Sequence, residues 1–305
     1  MGLRIINNNQ GGSAKILKIT PNINGGIWLG FCLLDRYPGA AVAYSLRRLR
    51  IQYIGPLIRV RRSSDNAEMD IGLNFSSDGS SLDENALLAF VGNGNGFVTR
   101  WYDQSGNGID QIRTIASEQP QIVTNGTIYR DNGKPALWFN GTNILRSATT
   151  TQIGSPTEGW SAVGVYRATQ FGIARLFFSS DLPSLRIAQI LRLNNVLGTF
   201  GTLAFNTIGG FTTEQGTSLN TNQNIHFANR TTTLLELIVN GQTNGPSAVT
   251  GTPQSSPTAE IGIGESWQPG AYPIGYIQEL IFYNFHRTST YQNMIREINS
   301  YYKIY

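Results

Sequence analysis

The sequence predicts an all-β protein, an antiparallel β-sandwich of the jelly-roll kind with two or three short helices. Three observations predict it. The runs "GFVTRWYD", "KPALWFNG", "WSAVGVYRA", "RIAQILRL", "LLELIVNG", "AEIGIGES" and "GYIQELIFYN" are short and rich in β-branched and aromatic residues. Gly, Asn, Ser and Pro turns separate them, the pattern of packed antiparallel sheets. "IVNGQTNG" holds Asn240-Gly241, a dipeptide that supplies the two positive-φ residues of a type I′ hairpin turn. Finally, the chain is 40% hydrophobic but only 14% charged. That suffices for a large core under a surface of Asn, Thr, Ser, Gln and Gly, well below the usual charged share of about 25%.

Residues 1–30 read as an arm, because "NNNQGGS" and "PNINGG" flank one short strand-like run, "AKILKIT". Residues 31–305 read as one domain. Within it, "YPGAAVAYSLRRLR" suggests a helix: Pro38 suits a first turn, and Val42, Leu46, Leu49 and Tyr53 recur at helical spacing. "SLDENALLAFVG" suggests a second, with Ser81 and Glu84 as a capping box and Gly92 as the stop. "STYQNMIREINSYY" suggests a third, with Met294, Ile295, Ile298 and Tyr302 on one face. The rest is strand and turn.

Net charge is +4, and only Lys15, Lys18, Lys134 and Lys303 of the 23 basic residues are lysines. Arginine's planar fork suits fixed pairing better than loose solvation, so internal ion pairs are expected over a nucleic-acid surface. The single cysteine, Cys32 in "GIWLGFCLL", excludes an intrachain disulfide and reads as a buried small hydrophobe. "MGLRIINNNQGG" has no apolar leader core, and no apolar run approaches the length of a membrane span. The expectation is a protein made in a cytoplasm without a signal peptide.

"GPLIRVRRSSDNAEMDIG" (55–72) poses the main question. With Arg47, Arg48 and Arg50 just before it, Arg59, Arg61 and Arg62 make a basic cluster, but Asp65, Glu68 and Asp70 follow at once. The reading is structural ion pairing of Arg59, Arg61 and Arg62 with Asp65, Asp70 or Asp103 across the sandwich. Partial burial would make each pair cost about 3–5 kcal/mol to break. A ligand-facing role and phosphate binding are the alternatives. "WYDQSGNGID" (101–110) reads as a turn in which Asp103 accepts backbone N–H bonds or pairs with an arginine. Its alternative is Ca²⁺ held by Asp103, Asn107 and Asp110. His226 and His286 lack metal-ligand spacing, and "GNGNG" is no phosphate loop, since no Gly-Lys-Ser/Thr follows. No cofactor or metal is called for.

"GPLIRVRRSSDNAEMDIG" followed by "FVTRWYDQSGNG" resembles the catalytic domain of the α-L-arabinofuranosidase B type, with its "NGPLYQVRR" and "IYDQSGRGNHL" stretches. The resemblance runs from about Leu33 to Tyr305, densely over 37–140 and thinly over 141–255, and implies a concanavalin-like lectin fold. A retaining glycosidase needs two carboxyl groups about 5 Å apart. The family's nucleophile position falls on Pro183, with Asp181 two places off. Its acid/base position falls on Ser266, with Glu265 one place early. Its cysteine pair falls on Arg175 and Leu176. The resemblance therefore implies the scaffold without the catalytic residues.

The same stretches, together with "YNFHRTSTYQNMIREINSYYKIY", resemble a module of phage tail, fibre and head-fibre proteins. The expectation is a virion structural protein. Residues 1–30 would attach it to other virion proteins or within a homo-trimer, and the sandwich would bind host-surface glycans through Asp181, Glu265 and Trp267. The alternatives are an arabinofuranosidase-like hydrolase with displaced carboxylates, and a ligand-free capsid decoration.

Overall fold

The computed structural model describes residues 32–77, 79–152, 159–169, 175–182, 185–193, 202–208, 210–215, 221–243, 245–248, 252–253, 258–264, 272–287 and 290–305. The expected arm, residues 1–30, lies outside them. In chain order the labelled elements are α1 (Leu33–Arg36), β1 (Val42–Ser45), β2 (Ile58–Arg62), β3 (Glu68–Ile71), α2 (Glu84–Val91), β4 (Gly96–Trp101), β5 (Gln111–Ile112), β6 (Gln121–Thr124), β7 (Leu137–Asn140) and β8 (Leu145–Ser147). They continue as β9 (Trp160–Ala168), β10 (Arg175–Leu182), β11 (Leu185–Leu193), β12 (Thr202–Ile208), β13 (Gly210–Gln215), β14 (Asn224–Arg230), β15 (Leu234–Val239), β16 (Gln242–Thr243), β17 (Thr258–Ile263), β18 (Ile274–Tyr283) and α3 (Tyr291–Tyr302).

The sandwich opens at β4. Gly96 and Phe97 pair with β6, whereas Arg100 and Trp101 pair with β5. One antiparallel series then runs β6–β7–β18–β9–β14–β15. The other runs β5–β8–β17–β10–β11–β12–β13. Their inner faces share one core. Leu137, Phe139, Ala162, Leu237, Ile277 and Leu280 come from the first layer, and Leu145, Ile261 and Ile263 from the second. The outer face of the first layer is covered at one end by α1 and α3, where Val163, Phe227, Ile281 and Tyr283 meet Leu34, Met294, Ile295 and Ile298.

Strand β18 is the hub. β7 and then β1 pair along one edge of it, and β9 along the other. A register shift at Val165/Tyr166 gives β18 one extra residue, so Gln278 and Glu279 are both fully buried. Each is polar and each is satisfied. Gln278 donates to the carbonyls of Asp131, Lys134 and Pro135, each at 3.1 Å. Glu279 accepts from Ser45 Oγ (2.9 Å), Arg47 Nε (2.7 Å), Arg47 Nη2 (2.8 Å) and Tyr302 Oη (3.1 Å). Burial alone would depress the Arg47 guanidinium, but Glu279 outweighs it and raises it above its ordinary value.

Three local expectations change. The segment 38–53 forms β1 instead of a helix. Ala41, Val42, Ala43 and Tyr44 are all buried, Ala43 toward the helices and Val42 and Tyr44 toward the sandwich core. A strand buried on both faces is a continuous apolar run, which periodicity does not distinguish from a helix. In α2 the cap is Asp83, whose carboxylate accepts the Ala86 N–H at 3.0 Å; Ser81 instead forms a bridge to Arg47. Cys32 is only half-buried, because it precedes α1 at the edge of the fold, with its N–H on Asp35 Oδ2 at 2.9 Å. The hairpin is as read: Asn240 (φ 51°) and Gly241 (φ 76°) join β15 to β16, with Val239 opposite Gln242.

Two stability predictions arise from these buried groups. Glu279→Gln leaves the Arg47 charge without its partner, and urea unfolding should show a loss of about 3–5 kcal/mol. His226 on β14 is fully buried against the Tyr166 hydroxyl, and burial pushes its pKa down to about 3. The unfolded imidazole binds a proton near pH 6.5 and the folded one does not. Stability is therefore complete above pH 6.5 and falls by about 1.4 kcal/mol per pH unit below it. Unfolding measured from pH 7 to pH 4 should show this slope in the wild type, and a slope shallower by that amount in His226→Asn.

Candidate functional site

Alternation on β2 places Ile58 and Val60 in the core and turns Arg59 and Arg61 outward. The outward pairs are local. Arg59 grips Asp70 on the neighbouring β3 with Nε and Nη2 at 2.7 and 2.9 Å, and Tyr102 donates to the same carboxylate at 2.7 Å. Arg59 and Tyr102 hold the Asp70 carboxyl below its usual range despite partial burial. Arg62 grips Asp65 within the β2–β3 turn at 2.8 and 2.7 Å, and Arg62 with the Ala67 N–H holds the Asp65 carboxyl low.

The expectation of pairing across the sandwich is therefore corrected in three respects. Arg61 bonds amide oxygens, Gln119 Oε1 at 2.8 Å and Asn66 Oδ1 at 2.7 Å, and lies over the Phe97 ring. Asp103 pairs with no arginine among the described residues. Its buried carboxylate takes the N–H groups of Ala43, Ser105 and Ile109 and the Ser105 hydroxyl at 2.6–3.1 Å. The Arg59–Asp70 and Arg62–Asp65 pairs are more than one-third exposed on at least one side, so water screens them. Among the described residues the ion pair buried on both sides is Arg47–Glu279 instead. Its sequence signal was a lone acid inside an apolar strand, "YIQELIF".

The "DQSGNG" loop is a tie. Beside Asp103, Gln104 is fully buried, accepts the Leu49 N–H at 2.8 Å and donates to Ser45 and Arg47 carbonyls at 3.1 and 2.9 Å. Asn107 donates to the Ala40 and Ala41 carbonyls, and Asp110 accepts the Asp103 N–H at 2.9 Å. The Asp103 and Asp110 carboxylates are thus engaged by N–H and O–H donors of the loop and of β1, and Asn107 uses its amide nitrogen on the chain before β1. Among the described residues no group of three His, Cys, Asp or Glu side chains could hold a metal ion.

The outer face of the second layer carries a polar row. Asp70, Arg59, Arg100, Ile112, Arg146, Gly262 and Ser179 are successive cross-strand partners from β3 to β10. Arg100 approaches Asp110 at 3.4 Å, and Arg146 bonds Glu260 at 2.9 Å. Gly262 has no side chain, so the row has a gap beside Arg146. One rung along, Glu260 is the register partner of Asp181. Glu260 and Arg146 were missed by sequence reasoning, although "AEIGIG" puts Glu260 at an outward alternate position. Glu265 and Trp267 lie outside the described residues.

The fold and this face define an arabinofuranosidase-like β-sandwich. The family model for the catalytic domain of α-L-arabinofuranosidase B matches residues 36–137, less than half of the chain. A GH54 α-L-arabinofuranosidase soaked with a cyclic sulfate inhibitor aligns with a TM-score of 0.66 at 16% identity, over 87% of this chain and 64% of the other. An arabinofuranosidase complexed with arabinofuranosyl-α-1,2-xylobiose aligns with a TM-score of 0.65 at 15% identity, again over 87% and 64%. At such identity the likeness is one of fold, and this chain spans under two-thirds of either protein's length. No curated protein sequence matches the chain. Among the described residues no helix is long and apolar enough to cross a membrane.

The exposure of the Arg59–Asp70 pair yields a contrast with the buried one. Asp70→Asn should cost no more than about 1 kcal/mol in urea unfolding, a fraction of the loss expected for Glu279→Gln. An equal loss would show that the two pairs carry the same weight.

Proposed function

We propose that this chain is a saccharide-binding, non-hydrolytic β-sandwich displayed on a phage particle. The observation that carries the reading is the split between framework and chemistry. The matched residues 36–137 contain the tying groups Arg47, Asp103 and Gln104, while the positions that the sequence resemblance implies for the family's two carboxylates hold Pro183 and Ser266. The relatives in fold are arabinofuranosidases, so the inherited face is one shaped for sugar. On it the Arg146–Glu260 pair beside Gly262 offers planar donors and acceptors suited to vicinal hydroxyls. Asp181, Glu265 and Trp267 complete the site in this reading. Residues 1–30 attach the module to other virion proteins or to its own trimer. The low charge and arginine-over-lysine bias fit a surface that binds neutral glycans.

One observation favours a second reading. Asp181 and Glu260 share a rung, and rung partners lie about 5 Å apart between Cβ atoms, the scale of a retaining carboxylate pair. Two assays on the purified chain separate the readings. Glycan-array binding followed by calorimetry should show saccharide binding about tenfold weaker in Arg146→Ala and Trp267→Ala. Hydrolysis of 4-nitrophenyl α-L-arabinofuranoside should be absent. Turnover that disappears in Glu260→Gln would replace binding by hydrolysis, and no binding to any glycan would leave a ligand-free decoration.

A further inference from the structure

We infer that the outer face of the first layer carries a separate saccharide site, built on Tyr129, Trp138 and Tyr276 and edged by Arg167 and Asp131. Trp138 on β7 and Tyr276 on β18 are cross-strand partners, and Arg167 on β9 is the next partner along. Leu137, Phe139 and Ile277, their neighbours in sequence, point into the core, so strand alternation turns Trp138 and Tyr276 outward. The ring centroids of Trp138 and Tyr276 are 4.8 Å apart, and Tyr129 joins them at 5.9 and 6.1 Å. All three rings are partly exposed, whereas Trp101 and Trp160 are fully buried. Helix α3 covers this face only farther along, over Ile281 and Tyr283.

The polar edge is built as well. The Arg167 guanidinium lies 4.8 Å from the centre of the Tyr276 ring, with Nε 3.3 Å from Asp131 Oδ1. Asp131 is only 4% exposed, yet its Oδ2 has no hydrogen-bond partner. Burial raises the Asp131 carboxyl pKa against the pull of Arg167 and of the Asn132 N–H. The Asp131 backbone is held from below, its carbonyl accepting the Gln278 amide, so the carboxylate is fixed beside Arg167.

This combination selects a neutral sugar. The C–H face of a sugar ring packs on an aromatic plane, and its equatorial hydroxyls then meet the planar donors of Arg167, which the buried Asp131 carboxylate holds in place. Arg167 and Asp131 cancel in charge, and nearby Lys134 is occupied over the Tyr301 ring, so a phosphate ligand finds no net attraction. The rings and Arg167 hang on or beside paired strands, so little conformational entropy is lost on binding.

This site stands apart from the polar face of the second layer and does not rest on it. The test is a glycan array of neutral plant and bacterial oligosaccharides, then calorimetry with the best binder, on wild type, Trp138→Ala, Tyr276→Ala, Asp131→Asn and Arg146→Ala. Retained thermal unfolding identifies variants that still fold. The outward Tyr276→Ala and Asp131→Asn changes serve if Trp138→Ala does not fold. The expected result is binding about tenfold weaker in the Trp138 and Tyr276 variants and weakened in Asp131→Asn. Binding untouched by the first three variants overturns the inference, as does the absence of any neutral-glycan binding. Loss in Arg146→Ala alone also overturns it, while supporting the polar face of the second layer.

Discussion

A carboxylate at the centre of a sheet must be supplied with donors or it destabilises the fold by several kcal/mol. Glu279 is that group here. It lies on β18, the strand that β1, β7 and β9 all pair with, and it is fully buried. Its donors come from separate places: Ser45 on β1, Arg47 just beyond it, and Tyr302 at the end of α3. The Arg47 guanidinium in turn lies against the Tyr301 and Tyr302 rings at 4.5 and 5.4 Å. The charge is satisfied only when β1, β18 and α3 occupy one relative arrangement. An apolar residue at 279 would allow several.

The same logic recurs next door without net charge balance. Asp103 and Gln104 have their side-chain groups taken by the chain between Ala43 and Leu49 and by their own loop. The loop after β4 thus holds β1 from one side, as Glu279 holds it from the other. These ties fall within residues 36–137, the part that the arabinofuranosidase family model matches. Shared sequence here reports shared scaffold. Hydrogen-bond geometry that holds a strand in place tolerates few substitutions, whereas outward positions are free to change.

The outward positions differ in character between the two layers. On the second layer they are arginines and acids paired at the surface, where each pair adds little stability. Their planar groups remain available to hydroxyls at little cost in order. On the first layer the helices take the apolar half of the outer face and leave an aromatic half beyond α3. The outward positions that neither the inner core nor the helices bury can vary without weakening either.

The sequence by itself determined the strand-rich class, the I′ turn at Asn240-Gly241 and the buried face of α3 at Met294, Ile295, Ile298 and Tyr302. Each rests on residues within a few places of one another, where periodicity and positive φ act locally. It also marked Asp65, Asp70, Arg59 and Arg62 as a charged unit, because their pairing needs only one hairpin. Tertiary structure alone decided that residues 42–45 are strand, since burial on both faces erases periodicity. Asp103 reads from sequence as a backbone acceptor or an arginine partner; tertiary structure alone decided for the backbone and brought in the Ala43 N–H from sixty residues away, and it alone decided that Arg61 meets amides. The same holds for Arg47, which reaches Glu279 from just beyond β1, and for the register partners Asp181 and Glu260, and Trp138 and Tyr276. Register is set by the packing of whole layers, and no short stretch of sequence contains it.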